Sequence, residues 1–418
     1  IGRNRRWHLL FFAVLSPCFP FMHIFTSICS NYIPKARVLA RSVRQHEPDA
    51  VFIVVLCDTP PDNFDIAAED FDHIILLETL PIDERPAWTF QHNVVELCTA
   101  VKGLGFQEIF KRFNAEKVVF LDPDIVLFSS LELVREKLDA YSVLLTPHQT
   151  EPEEEHSAIL DNEVSSLKYG VFNLGFLAVR RSAQGCRFID WWSDRLRDFC
   201  FDERGRGLFT DQKWADLAPA LFYDLGILRE PQLNVSTWNI SRRELTGDLD
   251  NGIYVNGQPL CFYHFSGVDS GALKVMMDVY GKQNPALASL RAWYVQQCNA
   301  MGQRELGTRE CIYGLYSNGD RIRPAERLLY RYREDLRDRF PDPYDCTAGG
   351  GYQAWYAGNM HTEHSQPDEE LLSVMRHELD AIHHSISWRV FRKLATAYRR
   401  MGMRLGINGL VQRLSHRS

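Results

Sequence analysis

Short apolar runs alternate with amphipathic stretches through the first part of the chain. Residues 23–29, 50–56 and 72–77 are apolar runs of strand length. After Pro34, apolar residues recur at helical spacing between basic residues. The order strand, helix, strand predicts a βαβ unit, whose strands are parallel and whose crossover is right-handed. The pattern therefore predicts an α/β fold with a mostly parallel sheet flanked by helices.

The stretch around residue 120 is the most informative one. Lys117 to Leu121 is a continuous apolar run that fits a buried strand. The run ends at Asp122-Pro123-Asp124, where the proline cannot donate to a sheet ladder. Carboxylates just past a parallel strand lie where such sheets bind ligands, and two of them favour a hard divalent cation. Because Asp-Pro-Asp also suits a turn, this stretch alone leaves a metal site and a turn open.

Later segments place polar side chains at other element ends. Asn173 and Gly175 interrupt a predicted strand over 171–179, and a strand glycine often marks close approach of a ligand or backbone. Thr210 is a candidate N-cap for a helix that opens with Asp211-Gln212. Asn256-Gly257 predicts a hairpin over 253–265, which brings His264 near its end. A single long helix is predicted over 93–113.

The two ends of the chain differ from its centre. Residues 1–21 imitate a secretory signal, but we interpret them as a non-native upstream segment, with structure beginning at Met22. Helix-compatible segments dominate after Gly267 and predict a helical extension over 269–366. Residues 367–418 are predicted to be a linker followed by a cationic amphipathic helix over 387–405. Such a helix suits an anionic membrane surface, and docking on protein is the alternative.

Charge and cysteine usage narrow the class of protein. The net charge of −7 argues against general nucleic-acid binding. Residues 381–418 nevertheless contain eight Arg or Lys and no acidic residue, so they form a separate electrostatic segment. The ten cysteines include no Cys-x-x-Cys, which argues against a zinc knuckle and a disulfide scaffold. We therefore expect a cytoplasmic protein, with peripheral contact to the inner face of the membrane through the cationic helix.

Four motifs now stand in a fixed order along the chain. They are Asp122-Pro123-Asp124 after Phe120-Leu121, Phe172-Asn173-Leu174-Gly175, Asp211-Gln212, and His264 in Tyr263-His264-Phe265-Ser266-Gly267. This set resembles the GT-A-type glycosyltransferases that use a nucleotide-diphosphate sugar, and most of all the family-8-type group of bacterial galactosyl- and glucosyltransferases and glycogenin. The resemblance covers residues 22–268 and implies a Rossmann-like GT-A domain there. One departure is that Val268-Asp269-Ser270 stands where the family often has a lysine that contacts the diphosphate.

The resemblance implies a role for each candidate residue. The metal ligands for Mn²⁺ or Mg²⁺ would be Asp122, Asp124 and His264. The groups nearest the transferred sugar would be Asn173, Asp211 and Gln212. The donor-binding residues would be Thr26, Asn31, Tyr32, Asp58 and Lys102. Simpler readings remain open: Asp58 closes a turn, His264 is a satisfied core histidine, and Asp211 is a favourable charge in a first helical turn.

The resemblance also implies an activity. It indicates a metal-dependent hexosyltransferase that moves a sugar from a nucleotide-diphosphate donor to a glycan or lipid-linked acceptor. The segment after Gly267 resembles helical extensions on bacterial transferases of cell-surface polysaccharide, which implies a role in that synthesis. A catalytically silent glycan- or nucleotide-binding scaffold is one alternative. A sugar nucleotidyltransferase is another, although the chain has no glycine-rich phosphate loop after its first strand.

Overall fold

The computed structural model describes residues 22–62, 64–281, 283–347 and 350–359. Within these residues, the strands are β1 (Met22–Ile28), β2 (Val51–Leu56), β3 (His73–Leu76), β4 (Lys117–Leu121), β5 (Ile125–Leu127), β6 (Val143–Pro147), β7 (Phe172–Arg180), β8 (Asp202–Glu203), β9 (Leu208–Phe209), β10 (Leu225–Ile227), β11 (Leu245–Asp248), β12 (Gly252–Val255), β13 (Gln258–Pro259) and β14 (Phe262–His264). The helices are α1 (Ile33–His46), α2 (Arg85–Phe90), α3 (Val94–Ala100), α4 (Lys102–Arg112), α5 (Glu132–Ala140), α6 (His156–Ala158), α7 (Val164–Tyr169), α8 (Ala183–Phe199), α9 (Gln212–Ala215), α10 (Ala218–Leu221), α11 (Ala272–Tyr280), α12 (Pro285–Ala300), α13 (Gln303–Leu306), α14 (Pro324–Tyr332), α15 (Glu334–Arg339) and α16 (Tyr352–Asn359).

A seven-stranded sheet in the order β10-β6-β7-β4-β1-β2-β3 forms the centre of the described chain. Strands β4, β1, β2 and β3 are parallel to one another, as are β10 and β6. Strand β7 runs antiparallel to both of its neighbours, β4 and β6. Apolar clusters cover both faces of the sheet. The predicted α/β fold with a mostly parallel sheet flanked by helices is confirmed.

The predicted helix over 93–113 forms as two helices, α3 and α4, which meet at Val101. Asn93 caps α3 in a capping box with Glu96. Two glycines then let α4 pack closely: a Cβ on Gly103 would lie 2.7 Å from the Ser193 backbone in α8, and one on Gly105 would lie 2.8 Å from the Phe25 ring. The prediction of one continuous helix was wrong because propensity does not register this close packing.

The predicted hairpin over 253–265 also needs correction. The turn forms at Asn256-Gly257, where both residues have positive φ. The returning strand β13 is only two residues long, and the chain then leaves the hairpin. Strand β14 instead pairs antiparallel with β5, with His264 opposite Ile125. Because β5 directly follows Asp122-Pro123-Asp124, this pairing brings His264 to the acidic motif.

The helical segments after Gly267 pack against the sheet-bearing part of the chain. Aromatic residues of this segment, Tyr316, Tyr330 and Tyr352, surround Phe90 at the end of α2. Farther along, α12 contacts α1 and β11. Helices α11 to α16 thus share a core with the sheet-bearing part, and a separate extension over 269–366 stays a prediction. The predictions for residues 1–21 and 367–418 lie outside the described residues. Within the described part, no helix combines the length and apolarity that crossing a bilayer requires.

His92 gives the fold a testable dependence on pH. Its ring is buried against Trp88 and Phe201. Burial, with the nearby charge of Arg331, lowers the pKa of His92 to about 3. The unfolded chain therefore binds this proton from pH 6.5 downward while the native state does not, so stability should fall as pH drops through this range, by at most about 1.4 kcal/mol per pH unit. Urea unfolding of a His92→Gln variant at several pH values should show a shallower slope.

The matched control is His156→Gln, because His156 is exposed. That variant should keep the slope of the parent protein. An unchanged slope in His92→Gln would contradict the assignment.

Candidate active site

A cavity of about 870 Å³ opens at the carboxyl edge of the central sheet. Residues from the ends of β1 and β4, from α3, from β7 and from β14 line it. The predicted site residues at this cavity are Asn31, Tyr32, Lys102, Asp122, Asp124, Asn173, Asp211, Gln212 and His264. Residues from six separated parts of the chain therefore share one space.

Two carboxylates and one imidazole form an acidic cluster at the cavity wall. His264 Nε2 lies 3.0 Å from Asp124 Oδ1 and 3.8 Å from Asp122 Oδ2. One ligand atom from each of the three residues lies within 4.8 Å of the others. The backbone fixes this approach, because Phe265 N donates to Asp124 O at 2.8 Å and Asp122 N donates to Gly175 O at 2.8 Å. Two oxygens and one nitrogen at this spacing fit a divalent ion such as Mn²⁺ or Mg²⁺.

The charges of this cluster depend on one another. Burial raises the pKa of Asp122 despite the nearby cations Lys102 and His264. Burial also acts to raise the pKa of Asp124, but the adjacent His264 outweighs it, so that pKa is lowered. For His264, burial acts to lower the pKa and Asp124 raises it, with a net rise. Asp124 and His264 thus each favour the charged form of the other.

Lys102 is a buried cation between two acidic groups. Its Nζ lies 2.8 Å from Asp211 Oδ2 and 3.3 Å from Asp122 Oδ1, and it donates to Leu174 O at 3.0 Å. It also lies 4.1 Å from the centroid of the Phe120 ring. Burial acts to lower the pKa of Lys102, but Asp122 and Asp211 raise it overall. The lysine therefore connects the acidic cluster to the start of α9.

Asn173 is the centre of a hydrogen-bond network next to His264. Its Oδ1 accepts from Asn234 Nδ2 at 3.1 Å and lies 3.2 Å from His264 Nδ1. Its Nδ2 lies 3.3 Å from His148 Nε2. His148 is held neutral, because burial lowers its pKa to about 4. The ring of Trp238 packs edge-on against His264 at 5.1 Å. Asn173 thereby orients the imidazole from behind.

Sequence reasoning missed three members of this network, namely His148, Asn234 and Trp238. None of them lies in a motif that indicates sugar transfer, although Asn234-Val235-Ser236 fits the N-glycosylation sequon. The only available signal was a buried-strand context before His148, where a polar ring follows the apolar run of β6. Asn234 is fully buried and adopts a left-handed backbone conformation, with φ of 50°. Such contacts follow from the tertiary arrangement and are not visible in local patterns.

Hydrogen bonds fix the side chain of Gln212. The prediction that Thr210 is the N-cap of the following helix was wrong. Gln212 Nε2 donates to Tyr169 O at 3.0 Å, and its Oε1 accepts from Leu174 N at 3.3 Å. Thr210 does not cap α9; Asp211 occupies the N-cap position and makes no side-chain cap. The Thr210 hydroxyl instead donates to Asp211 Oδ1 at 3.1 Å, because a φ of 44° turns the chain before the helix.

Two predicted donor-binding residues lie outside the cavity lining. Thr26 is fully buried within β1. Asp58 accepts backbone hydrogen bonds from Ser30, Thr59 and Ile312 at 2.9 to 3.1 Å. These bonds match the simpler expectation that Asp58 closes a turn. Its carboxylate holds together three chain segments next to the cavity.

Gly175 offers a direct test of the acidic cluster. A Cβ at this position would lie 2.4 Å from His264 Cε1 and 2.8 Å from Asn173 Oδ1. Gly175→Ala should therefore displace the imidazole and weaken divalent-cation binding by about 10-fold or more, the size seen when groups that orient a ligand are lost. Titration of Mn²⁺ by calorimetry measures this. Gly358→Ala is the control, since Gly358 lies in α16 and a Cβ there meets no atom within 4 Å; equal Mn²⁺ affinity in both variants would contradict the assignment.

The relatives that this chain resembles in sequence are uncharacterized proteins. No protein-family model matches this chain. YfnF of Bacillus subtilis (strain 168), an uncharacterized protein, is 26% identical over 174 residues, which is 41% of this chain and 56% of YfnF. The uncharacterized YfnD of the same organism is 23% identical over 250 residues, or 59% of this chain and 77% of YfnD. The chain thus matches 56% of the length of YfnF.

Similar solved structures are glycosyltransferases. The galactosyltransferase LgtC, in complex with donor and acceptor sugar analogues, is 14% identical with a TM-score of 0.39, covering 67% of this chain and 96% of LgtC. The glycosyltransferase GlyE of Streptococcus pneumoniae TIGR4 is 14% identical with a TM-score of 0.40, covering 68% of this chain and 62% of GlyE. Mouse xyloside xylosyltransferase 1 is 13% identical with a TM-score of 0.36, covering 59% and 97%.

Proposed function

We propose that this chain is a metal-dependent GT-A-type glycosyltransferase that moves a hexose from a nucleotide-diphosphate sugar to a glycan or lipid-linked acceptor. The observation that supports this most is the convergence of Asp122, Asp124 and His264 within 4.8 Å at the carboxyl edge of the sheet. Ligands of open α/β sheets bind at this edge. The cavity there is large enough for a nucleotide sugar, since ligand sites of about 300–1,000 Å³ are usual.

The acidic cluster fits a divalent ion by the chemistry of its donors. Asp122, Asp124 and His264 would hold Mn²⁺ or Mg²⁺. When bound, such an ion neutralises charge that grows on a departing diphosphate. Asn173 keeps the imidazole oriented through the contact at His264 Nδ1, which leaves Nε2 directed at the carboxylates.

Lys102, which lies between Asp122 and Asp211, would contact the nucleotide-sugar donor next to the acidic cluster. The ammonium is held by Asp211 and Leu174 O, so its position is fixed before a substrate arrives. A fixed cation near Asp122 would help to bind the anionic diphosphate. Asn173, Asp211 and Gln212 would face the transferred sugar, and Asn31 and Tyr32 would contact the nucleotide. We assign no general base.

In the resembled family, a lysine often follows the late histidine, whereas this chain has Asp269 in that region. A lysine from another element, Lys35, pairs with Asp269. Lys35 in α1 is buried, forms an ion pair with Asp269, and lies 3.9 Å from the centroid of the Tyr32 ring.

A role in bacterial surface-polysaccharide synthesis, and contact of residues 387–405 with the inner face of the membrane, belong to the same proposal. Residues 22–268 would form the transferase domain.

A ligand screen separates this function from the two alternatives. Nucleotide-diphosphate sugars should raise the melting temperature of the protein with Mn²⁺ present and lose this effect in excess EDTA, because ligands that bind the native state stabilise it. A bound sugar nucleotide should then be slowly hydrolysed to sugar and nucleoside diphosphate. Binding without any hydrolysis or transfer would favour a silent scaffold. Release of pyrophosphate from a nucleoside triphosphate and a sugar phosphate would favour a nucleotidyltransferase. Full transferase activity in excess EDTA would show that the reaction needs no metal ion.

A further inference from the structure

Four cysteines that are far apart in the sequence meet next to the cavity. Cys29 follows β1, Cys57 follows β2, Cys98 lies in α3, and Cys311 belongs to the segment after Gly267. The Cys29 sulfur lies 3.4 Å from the Cys98 sulfur and 3.2 Å from the Cys311 sulfur. The carbonyl of Cys57 accepts from the thiols of Cys29 and Cys311. Cys29 is therefore the centre of a chain of thiols.

The four thiols differ in access. Cys29, Cys57 and Cys311 are buried, whereas the side chain of Cys98 stays partly exposed. Cys29 and Cys98 both lie in the wall of the cavity. A small reagent that enters the cavity can therefore reach the more exposed Cys98, whose sulfur is in contact with that of Cys29.

Contacts among these cysteines shift the pKa values of Cys98 and Cys29 in opposite directions. Hydrogen bonds from the thiols of Cys29 and Cys57 lower the pKa of Cys98 to about 5. Hydrogen bonds with Cys311 and Cys98, together with burial, raise the pKa of Cys29. Because the thiolate is the attacking form of cysteine, the accessible Cys98 is the more reactive of the two. The buried Cys29 stays protonated at the same pH.

The geometry favours sulfur–sulfur chemistry over a second metal site. Cys29, Cys311 and Asp58 each place a ligand atom within 4.8 Å of the others. Both oxygens of Asp58 are already engaged by backbone N–H groups of Ser30, Thr59 and Ile312. Structural zinc needs four ligands around one point, usually thiolates or imidazoles. The Cys29 sulfur instead contacts the sulfurs of both Cys98 and Cys311, which suits exchange between adjacent pairs.

We propose that Cys98 is a site of thiol–disulfide exchange with low-molecular-weight disulfides, and that Cys29 resolves the adduct into a Cys29–Cys98 disulfide. The Cys98 thiolate attacks one sulfur of a disulfide RSSR, forms a mixed disulfide and releases RS⁻. Cys29 then loses its proton to water, attacks the Cys98 sulfur and releases the second RS⁻. The two cysteines are oxidised by two electrons, and RSSR is reduced to two thiols. The sulfurs must close from 3.4 Å to about 2.05 Å.

The test treats the full chain with oxidised glutathione at neutral pH, alkylates the remaining thiols and maps peptides by mass spectrometry without reduction. The expected first product links the peptides of Cys29 and Cys98 with loss of two hydrogens. In Cys29→Ser, a glutathionyl adduct should instead persist on Cys98. Cys186 is the internal reference, because it is partly exposed and burial raises its pKa. It should react more slowly than Cys98.

Three results would overturn the proposal. One is modification of Cys186 before Cys98. Another is a Cys29–Cys311 disulfide that forms in Cys98→Ser as fast as the Cys29–Cys98 disulfide forms in the parent chain. The third is the same preference for Cys98 in urea, since the fold would then have no part in it. Because the readout is the mass of peptides, the result does not depend on the proposed sugar transfer.

Discussion

Asp122→Asn and Asp124→Asn should each reduce sugar transfer by at least about 10²-fold, because a metal ion supplies several kcal/mol of charge stabilisation in such reactions. Each substitution keeps the shape of the side chain but removes one anionic ligand from the cluster with His264. The measurement is the rate of donor consumption with Mn²⁺ present, using a donor found by the ligand screen. Mn²⁺ affinity should fall in parallel.

The control for this prediction is Asp250→Asn, because Asp250 is exposed in the turn between β11 and β12. It should retain the rate of the parent protein. Melting temperatures of all three variants show whether the fold survives. Transfer at the rate of the parent protein in a folded Asp122→Asn, Asp124→Asn double variant would remove these carboxylates from the mechanism.

Arg331→Met should lower the free energy of unfolding by about 3–5 kcal/mol, the usual cost of removing one partner from a buried ion pair. The guanidinium lies 2.7 Å from carboxylate oxygens of both Glu96 and Glu203, and all three side chains are buried. It also donates to Gln91 O and lies 3.8 Å from the centroid of the Phe201 ring. The variant leaves Glu96 without its cation and leaves Glu203 with only the partly exposed Arg206. Urea unfolding at neutral pH measures the change.

A neighbouring arginine provides the matched control for this second prediction. Arg333 pairs with Asp335 at the surface, so Arg333→Met should cost less than about 1 kcal/mol. Adding Glu96→Gln and Glu203→Gln to Arg331→Met should recover part of the lost stability, since no buried charge then lacks a partner. If Arg331→Met and Arg333→Met have equal effects, the buried network does not stabilise the junction between α14 and α3.

The central sheet was predictable because its signals are local. Apolar runs bounded by polar turns marked β1, β2, β3 and β4 to within one or two residues. The side chains of β1, β2 and β4 are buried on both faces, so a continuous apolar run identifies these three strands. The antiparallel direction of β7 was not predictable, because a strand buried on both faces reads alike in either direction. The break at Val101 and the two-residue β13 were missed because packing and pairing with distant segments decide them.

The candidate site divides in the same way. The acidic motif was visible because a buried strand ends at it, and Asn173, Gln212 and His264 stood near element ends. The contacts that give these residues their environment were not visible. Lys102 pairs with Asp211 across 109 positions of sequence, and Asn234 reaches Asn173 across 61 positions. Cysteine spacing argued only against a zinc knuckle and a disulfide scaffold, yet four of the cysteines meet beside the cavity.

By itself, the sequence determined where strands β1 to β4 form and that Asp122 and Asp124 follow a buried strand. It did so because burial and backbone preference leave periodic marks within a few residues. Tertiary structure alone decided that β14 pairs with β5, that His264 thereby reaches Asp124, and that Cys29 touches Cys98 and Cys311. Those contacts depend on strand order and register, which bring distant residues together and which no local pattern records.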